Sequence, residues 1–147
     1  WNLKSEILLA RHSHGNSKYG RLPGQNSIPT ETAEKKDLTI WQLIVRGSTE
    51  EFGIDADNFN IIFTNIRLQA FSFIPRGKNS PELLLSAELF YGGNPDLDPN
   101  YMFKPGDDEI LSFSWFKPDK FIPDTEIESR RLIDFLYKSR TRLGITS

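Results

Sequence analysis

The sequence has no cysteine, two histidines and one methionine among its 147 residues. Without cysteine, it can form no disulfide framework and has no thiol chemistry. It has no run of about 18 apolar residues, so no membrane-spanning helix is expected. It also lacks a basic segment followed by an apolar core, so no signal peptide is expected. The formal net charge of −2 gives no general attraction to nucleic acid or to an anionic membrane.

Aromatic residues, by contrast, are abundant. The chain has eleven Phe, three Trp and four Tyr, and 37% of its residues are hydrophobic. A chain of this length can bury a core without disulfides or metals, so we predict a single domain over 1–147 with an aromatic core. Because the first residue is Trp1, we expect a fragment or a processed product. No feature assigns a compartment, and our expectation is an intracellular location, cytoplasmic or nuclear.

The longest apolar stretch, residues 60–91, predicts a β-hairpin. From Thr64 onwards, apolar and polar residues alternate with a period of two, which is the spacing of a pleated strand. Residues 82–91 alternate as well, although their Glu, Leu and Ala content leaves a helix as the alternative. Between the two segments, Gly77 and Asn79 are typical turn residues.

Three further segments have the composition of strands, namely 5–11, 38–45 and 109–116. Residues 12–33 are rich in Gly, Pro, Ser, Asn and Thr, and predict a long polar loop that is either functional or mobile. Ser48, followed three residues later by Glu51, predicts one helical turn within 48–58.

One amphipathic helix is predicted, over residues 125–143. Thr125 and Glu128 have the spacing of a capping box, and apolar residues recur at helical spacing after them. Gly144 is a natural stop. The helix must cover an apolar face or an open end of the sheet.

Strands joined by turns and irregular loops argue against a parallel sheet with crossover helices. We therefore predict an α+β fold, mostly antiparallel β, arranged as a barrel or a sandwich and capped by the C-terminal helix. Strands first and one capping helix last is the order of pleckstrin-homology-like barrels, which the chain resembles in architecture alone.

Several residues around the first predicted loop carry a family resemblance: Arg11, His12, Gly20, Arg21, Gly24, Pro29, Thr30 and Glu31. They resemble the opening of the histidine phosphatases, where an Arg-His-Gly follows the first strand and a Gly-Arg-x-x-Gly loop precedes a Pro-Leu-Thr-Glu. The resemblance implies that His12 is a phosphate-accepting nucleophile and Arg11 a phosphate clamp. Ser13 replaces the family Gly. No second catalytic histidine follows, because His14 is the last His of the chain.

Metal and nucleotide motifs are weak. His12 and His14 supply at most two of the three or four ligands of a zinc site. The Asp-x-Asp pairs at 55/57 and 96/98 lack the order of oxygen ligands that a calcium loop needs. No Gly-rich phosphate loop leads from a strand into a helix. We therefore predict no metal site and no cofactor.

Two surfaces are candidates for binding a macromolecule. Aromatic residues exceed what one sheet face must bury, which predicts a protein-binding patch. The predicted patch contains Phe103, Trp115, Phe116 and Phe121. On the last helix, Arg131, Lys138 and Arg142 group together and could meet phosphates of a nucleic acid.

Because each catalytic signal is weak, the leading hypothesis is a non-enzymatic interaction module. It would be an adaptor or scaffold within a larger protein or complex, with another protein as its partner. A histidine-phosphatase-like domain using His12 and Arg11 is the alternative. A nucleic-acid-binding β domain is the second alternative, disfavoured by the acidic pI of about 5.7.

Overall fold

The structure is a computed structural model that describes all residues except 18, 30, 32, 75–77, 106, 107, 123 and 143–147. The described residues form nine helices and strands. The side chains of residues 71, 73, 84 and 140–142 are also outside the description. The elements are β1 (Ile7–His12), β2 (Asn26–Ser27), α1 (Ile40–Phe52), α2 (Ala56–Ile62), β3 (Phe63–Phe73), β4 (Glu82–Tyr91), α3 (Pro99–Met102), β5 (Ile110–Phe116) and α4 (Ile127–Arg142).

Strand β1 is the centre of a three-stranded antiparallel sheet with the order β2-β1-β5. It pairs with β5 along its length, with Ile7 opposite Phe116. Side chains of a strand alternate between its two faces. Accordingly, Ile7 and Leu9 belong to one core cluster, whereas Leu8 and Ala10 contact the other. The sheet therefore lies between two cores.

The larger core is aromatic, as the composition predicts. Phe59, Phe103 and Phe113 are each at most 2% exposed, and they belong to the cluster that joins α2, the β3–β4 hairpin and β5. The second cluster holds α4 against the other face of the sheet through Ile133 and Leu136. Full burial of a side chain of this size contributes about 1.5–3 kcal/mol, so these residues account for much of the stability.

The predicted hairpin is confirmed for its two strands, whereas residues 60–62 belong to α2 and the predicted turn residue Gly77 lies outside the described residues. Strands β3 and β4 pair antiparallel from Phe63 opposite Tyr91 to Phe73 opposite Glu82. Residues 82–91 form a strand, so the helical alternative for them is wrong. Cross-strand packing of the alternating side chains outweighs the helical propensity of Glu, Leu and Ala there.

The predicted strand over 38–45 is wrong, because most of it lies in helix α1. Thr39 caps the helix by accepting a hydrogen bond from the Gln42 backbone N–H (3.1 Å), and the Gln42 side-chain oxygen accepts from the Thr39 N–H (3.1 Å). This capping box fixes the start of the helix. Ser48 does not begin a helical turn, since it lies inside α1 and is 3% exposed.

The predicted architecture is right only at the coarse level. The fold is α+β with antiparallel sheets, as expected. The sheets of three and two strands found in the described residues do not close into a barrel, and this part of the chain holds four helices rather than one. The pleckstrin-homology-like order is not supported. None of the described helices is both long and apolar enough to cross a bilayer.

Helix α4 begins at Ile127, two residues after the predicted start. The Thr125 hydroxyl donates to the Ile122 carbonyl (3.0 Å), and the Glu126 carbonyl accepts the hydrogen bond of the Arg130 N–H (2.9 Å). The predicted helix end at Leu143 and the stop at Gly144 lie outside the described residues.

Residues 12–33 contain the short strand β2 and are attached to α4 by polar contacts. Arg21 donates to the Ser27 hydroxyl (3.2 Å) and lies 3.8 Å from the Glu126 carboxylate. The Ile28 N–H donates to the Ser129 hydroxyl (3.0 Å). Burial raises the pKa of the Glu126 carboxyl. The polar residues of the segment 12–33 therefore form hydrogen bonds and ion pairs within the protein in addition to contacts with solvent.

Replacing Gly53 with alanine is expected to destabilise the fold. Gly53 ends α1 with a left-handed φ of 67°, and a Cβ at this position would overlap the Lys104 carbonyl oxygen. Strain and overlap together are expected to lower the free energy of unfolding by about 2–3 kcal/mol. Urea denaturation followed by tryptophan fluorescence measures the loss.

The matched control is Gly24→Ala. Gly24 also has a positive φ (79°), but the nearest atom to an added Cβ is 3.8 Å away. Strain alone is expected to cost about 1–2 kcal/mol there. Equal losses in the two variants would show that the contact with Lys104 adds nothing.

Candidate active site

Helix α1 carries the residues of the candidate site. Its end is fixed by Gly53, whose N–H donates to the Thr49 carbonyl (3.0 Å). Arg46 and Glu50 lie one turn apart and form an i,i+4 ion pair. Glu51 follows directly and is half-buried. The last two turns of α1 therefore present one cation and two carboxylates.

Arg46 collects four carboxylates around its guanidinium. Its Nε and Nη2 donate to the two oxygens of Asp37 at 3.1 and 2.8 Å, a bidentate contact. Its Nη1 lies 2.9 Å from Glu50, 3.3 Å from Glu31 and 3.4 Å from Glu34. We call these five residues the carboxylate cluster.

The cluster has an excess of negative charge. Lys36 adds a second cation, 3.1 Å from Glu34. Four carboxylates against two cations leave a formal charge of −2 on this group of side chains. The hydrogen bond with Asp37 is the main cause that raises the pKa of Arg46. The same hydrogen bond, together with one from the Glu34 backbone, lowers the pKa of Asp37 to about 2.

A partly enclosed cavity of about 240 Å³ lies beside the cluster. Its walls come from α1, β1, the β3–β4 hairpin, β5 and α4, and most of the lining side chains are apolar. The lining also contains three carboxylates, Glu31, Glu51 and Glu88.

Glu31 belongs to both the cavity and the cluster. It lines the cavity and its carboxylate contacts Arg46. Its Cβ lies only 3.2 Å from the position that a Cβ on Gly47 would occupy. The absence of a side chain at Gly47 therefore lets the loop approach α1 closely. The charged cluster and the apolar cavity thus form one continuous site.

The residues named for the phosphatase alternative lie elsewhere. His12 is on β1 and 5% exposed, whereas Arg11 next to it is exposed. Neither lines the cavity or belongs to the carboxylate cluster. A histidine buried to this degree is poorly placed to attack a phosphate from solution, and the resemblance to the histidine phosphatases is not supported by the fold.

The predicted aromatic patch is divided between core and surface. Phe103 is 2% exposed and Phe121 is 87% exposed, whereas Trp115 and Phe116 are half-buried. Of these four residues, Trp115 and Phe103 line the cavity. A protein-binding role for these residues remains a prediction.

Two of the three residues of the predicted basic surface of α4, Arg131 and Lys138, are exposed. Arg131 forms an ion pair with Glu128 at 3.1 Å. The side chain of Arg142 lies outside the described part. Nucleic-acid binding by these three residues remains a prediction.

The arrangement of helices and sheets is found in known structures. The NUDIX domain of Shewanella oneidensis NrtR, solved with ADP ribose, superimposes with a TM-score of 0.62 over 94% of this chain and 77% of that one, at 13% sequence identity. The chain has a Nudix-like fold.

Two further structures extend the likeness. A bifunctional NMN adenylyltransferase/ADP ribose pyrophosphatase from Francisella tularensis, solved with AMP and a Mn ion, has a TM-score of 0.62 and 16% identity. The match covers 92% of this chain and 38% of that protein. An Ap4A hydrolase from C. elegans has a TM-score of 0.56 and 16% identity, over 92% of this chain and 86% of that one. No family model and no curated protein matches the sequence.

These similarities overturn the hypothesis of a non-enzymatic interaction module. Two of the structures that share the fold are named as a pyrophosphatase and a hydrolase, and one is an ADP-ribose-bound domain. None of them is named as an adaptor or a scaffold. A protein partner for this chain is not supported either.

Sequence reasoning missed the carboxylate cluster, although one signal was present. Arg46 and Glu50 have the i,i+4 spacing of a helical ion pair. Thr39 and Gln42 have the spacing of a capping box, which would have placed both residues on one helix. Glu31, Glu34 and Asp37 come from the preceding loop, whose path no local pattern gives.

The cluster makes a testable contribution to stability in acid. The folded-state pKa of Asp37 is about 2, below its ordinary value of 3.8. A lowered pKa means that the ionised carboxylate stabilises the fold above pH 3.8 and that this stabilisation is lost as the pH falls towards 2. Wild type is therefore expected to be more stable than Asp37→Asn at pH 5–7, and the difference should vanish near pH 2.

Urea midpoints of both proteins between pH 7 and pH 2 measure this difference. Asp119→Asn, an exposed carboxylate outside the cluster, is the control and should show no such trend. A difference that stays constant down to pH 2 would contradict the role of the Asp37–Arg46 contact.

Proposed function

We propose that this protein is a divalent-cation-dependent hydrolase of organic diphosphates. The observation that carries the proposal is that Glu31 joins an apolar cavity to a carboxylate cluster. Such a site has one part for an organic group and one for a cation with its diphosphate. The pyrophosphatase and hydrolase that share the fold support the same reaction class.

The donor set fits a hard divalent cation. Glu31, Glu34 and Glu50 each offer a carboxylate oxygen, and these oxygens lie within 4.8 Å of one another. Carboxylate oxygens are the ligands that Mg²⁺ and Mn²⁺ prefer. The excess negative charge of the cluster favours a further cation. Among the structures with this fold, the Francisella enzyme was solved with a Mn ion.

Arg46 does not prevent cation binding. Its Nη1 contacts with Glu31 and Glu34, at 3.3 and 3.4 Å, are longer than ordinary hydrogen bonds, and its hydrogen bond to Glu50 (2.9 Å) would be exchanged for the contact of Glu50 with the cation. Its Nε and Nη2 can remain on Asp37 when those contacts are given up. Arg46 is thus a positioning residue that holds the loop and the helix together.

The carboxylates of the site have different roles in the proposed reaction. A cation held by Glu31, Glu34 and Glu50 would neutralise charge on the diphosphate oxygens. Glu51 follows Glu50 directly on α1 and would accept a proton from the attacking water. Water adds to one phosphorus, the bridging P–O bond breaks, and the departing phosphate carries away the electron pair of that bond. The products are two monophosphates, one of them bearing the organic group when the substrate is an ester.

The proposal predicts that Glu50→Gln weakens Mn²⁺ binding and hydrolysis together. Loss of one carboxylate from the cluster is expected to raise the Kd for Mn²⁺ at least about 10-fold and to lower kcat/KM at least about 100-fold. Electron paramagnetic resonance of free Mn²⁺ measures binding. Chromatography of products from inorganic pyrophosphate, ADP-ribose and a simple alkyl diphosphate measures hydrolysis.

Glu109→Gln is the matched control, because Glu109 is exposed and belongs to neither the cluster nor the cavity lining. It should bind Mn²⁺ and turn over substrate as wild type does. If wild type binds Mn²⁺ and still cleaves none of the three compounds, the hydrolase assignment is wrong. If no Mn²⁺ binds, the role assigned to the cluster is wrong.

A further inference from the structure

We infer that the organic group bound in the cavity is an alkyl chain rather than a nucleobase. This inference rests on the proposed function and specifies the substrate class of the same site. It follows from three properties of the cavity: the chemistry of its walls, the engagement of its polar groups and its size.

The walls offer mainly hydrocarbon and ring surfaces. On β4, the residues from Leu85 to Leu89 all line the cavity, and three of these five, Leu85, Ala87 and Leu89, are apolar. Leu43 and Ile44 of α1 line it as well. An alkyl chain makes favourable contact with such walls and requires no hydrogen bonds.

The polar groups of the cavity are few and largely engaged. Glu88 is 4% exposed, and its two oxygens already accept hydrogen bonds from Trp1 Nε1 (2.6 Å) and Gln69 Nε2 (2.5 Å). The Tyr91 hydroxyl donates to the Met102 sulfur at 2.5 Å. Among the described residues, Trp115 Nε1 is a buried donor with no acceptor.

The polar groups of the cavity lining cannot satisfy the hydrogen-bonding groups of a nucleobase. Its edge carries several donors and acceptors, and each one buried without a partner lowers the affinity about 5- to 150-fold. Trp115 supplies one N–H and Ser48 and Ser86 two hydroxyls, whereas the lining carboxylates of Glu31 and Glu51 only accept, so the several acceptors of a base meet few donors. An alkyl chain has no donors or acceptors, so its burial brings no such loss of affinity.

Charge places the diphosphate outside the cavity. The described lining contains Glu31, Glu51 and Glu88 but no Lys, Arg or His. A diphosphate inside would meet carboxylates without a counter-charge. At the rim, however, Glu31 leads to the carboxylate cluster, where a cation can bridge carboxylates and phosphate oxygens. The chain therefore points inward and the diphosphate outward.

The cavity size sets the length of the chain. An apolar cavity of about 150 Å³ holds benzene, with its six carbons. By that scale, a cavity of about 240 Å³ holds a chain of roughly eight to ten carbons. Each methylene that becomes buried is expected to improve the affinity about fourfold.

The experiment uses one head group with different organic groups. The probes are methylenebisphosphonate, whose P–C–P bridge cannot be hydrolysed, and its ethyl, butyl, hexyl, octyl and adenosine esters. Titration calorimetry of the wild-type chain with Mn²⁺ gives each Kd. We expect affinity to rise about fourfold per methylene up to about eight carbons. The adenosine ester should bind no more tightly than the ethyl ester.

A pair of variants locates the chain in the cavity. Ala87→Phe places a ring inside the cavity and should abolish the dependence of affinity on chain length. Ala70→Phe makes the same change on the paired strand β3, at an exposed position outside the lining, and should retain that dependence. If Ala87→Phe does not fold, the wild-type series decides alone.

Binding of methylenebisphosphonate without an organic group distinguishes failure of the proposed function from failure of the inference about the alkyl chain. If methylenebisphosphonate shows no Mn²⁺-dependent binding, the proposed function fails and the inference fails with it. If it binds but the alkyl series is flat, or the adenosine ester binds more tightly than the octyl ester, only the inference is overturned. Chain-length dependence that survives Ala87→Phe in a folded protein would also overturn it.

Discussion

The bidentate contact between Arg46 and Asp37 is the constraint on which the site depends. It fixes the loop before α1 to the second turn of that helix. With the guanidinium held this way, its remaining nitrogen lies among Glu31, Glu34 and Glu50. Carboxylates this close repel one another, so they stay together only while a cation lies between them. Loss of the guanidinium would therefore also release Glu31 from the cavity rim.

The helix that carries Arg46 is itself held by the aromatic core. Phe52, in the last turn of α1, packs against Phe103 and Phe113 with ring centroids 5.6 and 5.8 Å apart. Gly53 then turns the chain away in a conformation that other residues rarely adopt. One face of α1 is thus anchored by packing, which leaves Arg46 and Glu50 to meet the loop. Rigid support of this kind is what a reactive site requires.

Alternation along the sequence was enough to predict the hairpin, because burial of one face imposes a period of two, and the composition of strands was enough to predict β1 and β5. It failed over residues 38–45, where Ile, Val, Trp and Thr suit either a strand or a buried helix face. In this segment the capping box formed by Thr39 and Gln42 favours the helix over the strand. The cluster was beyond such reasoning, since Glu31 and Asp37 reach Arg46 only through the path of a loop. Local sequence patterns predict which residues are neighbours within one helix or strand, but they do not predict tertiary contacts between elements.

Fold likeness at 13–16% identity leaves the ligand open, since one fold supports many site chemistries. The lining is therefore a better guide to the ligand than the fold. Here the polarity of the site changes sharply at Glu31, from a charged cluster to an apolar cavity. An alkyl diphosphate has the same sharp division, whereas a nucleotide stays polar throughout. Under the proposed function, burial of the chain would supply affinity without a metal, so that a bound cation and the carboxylates would be left to act on the diphosphate.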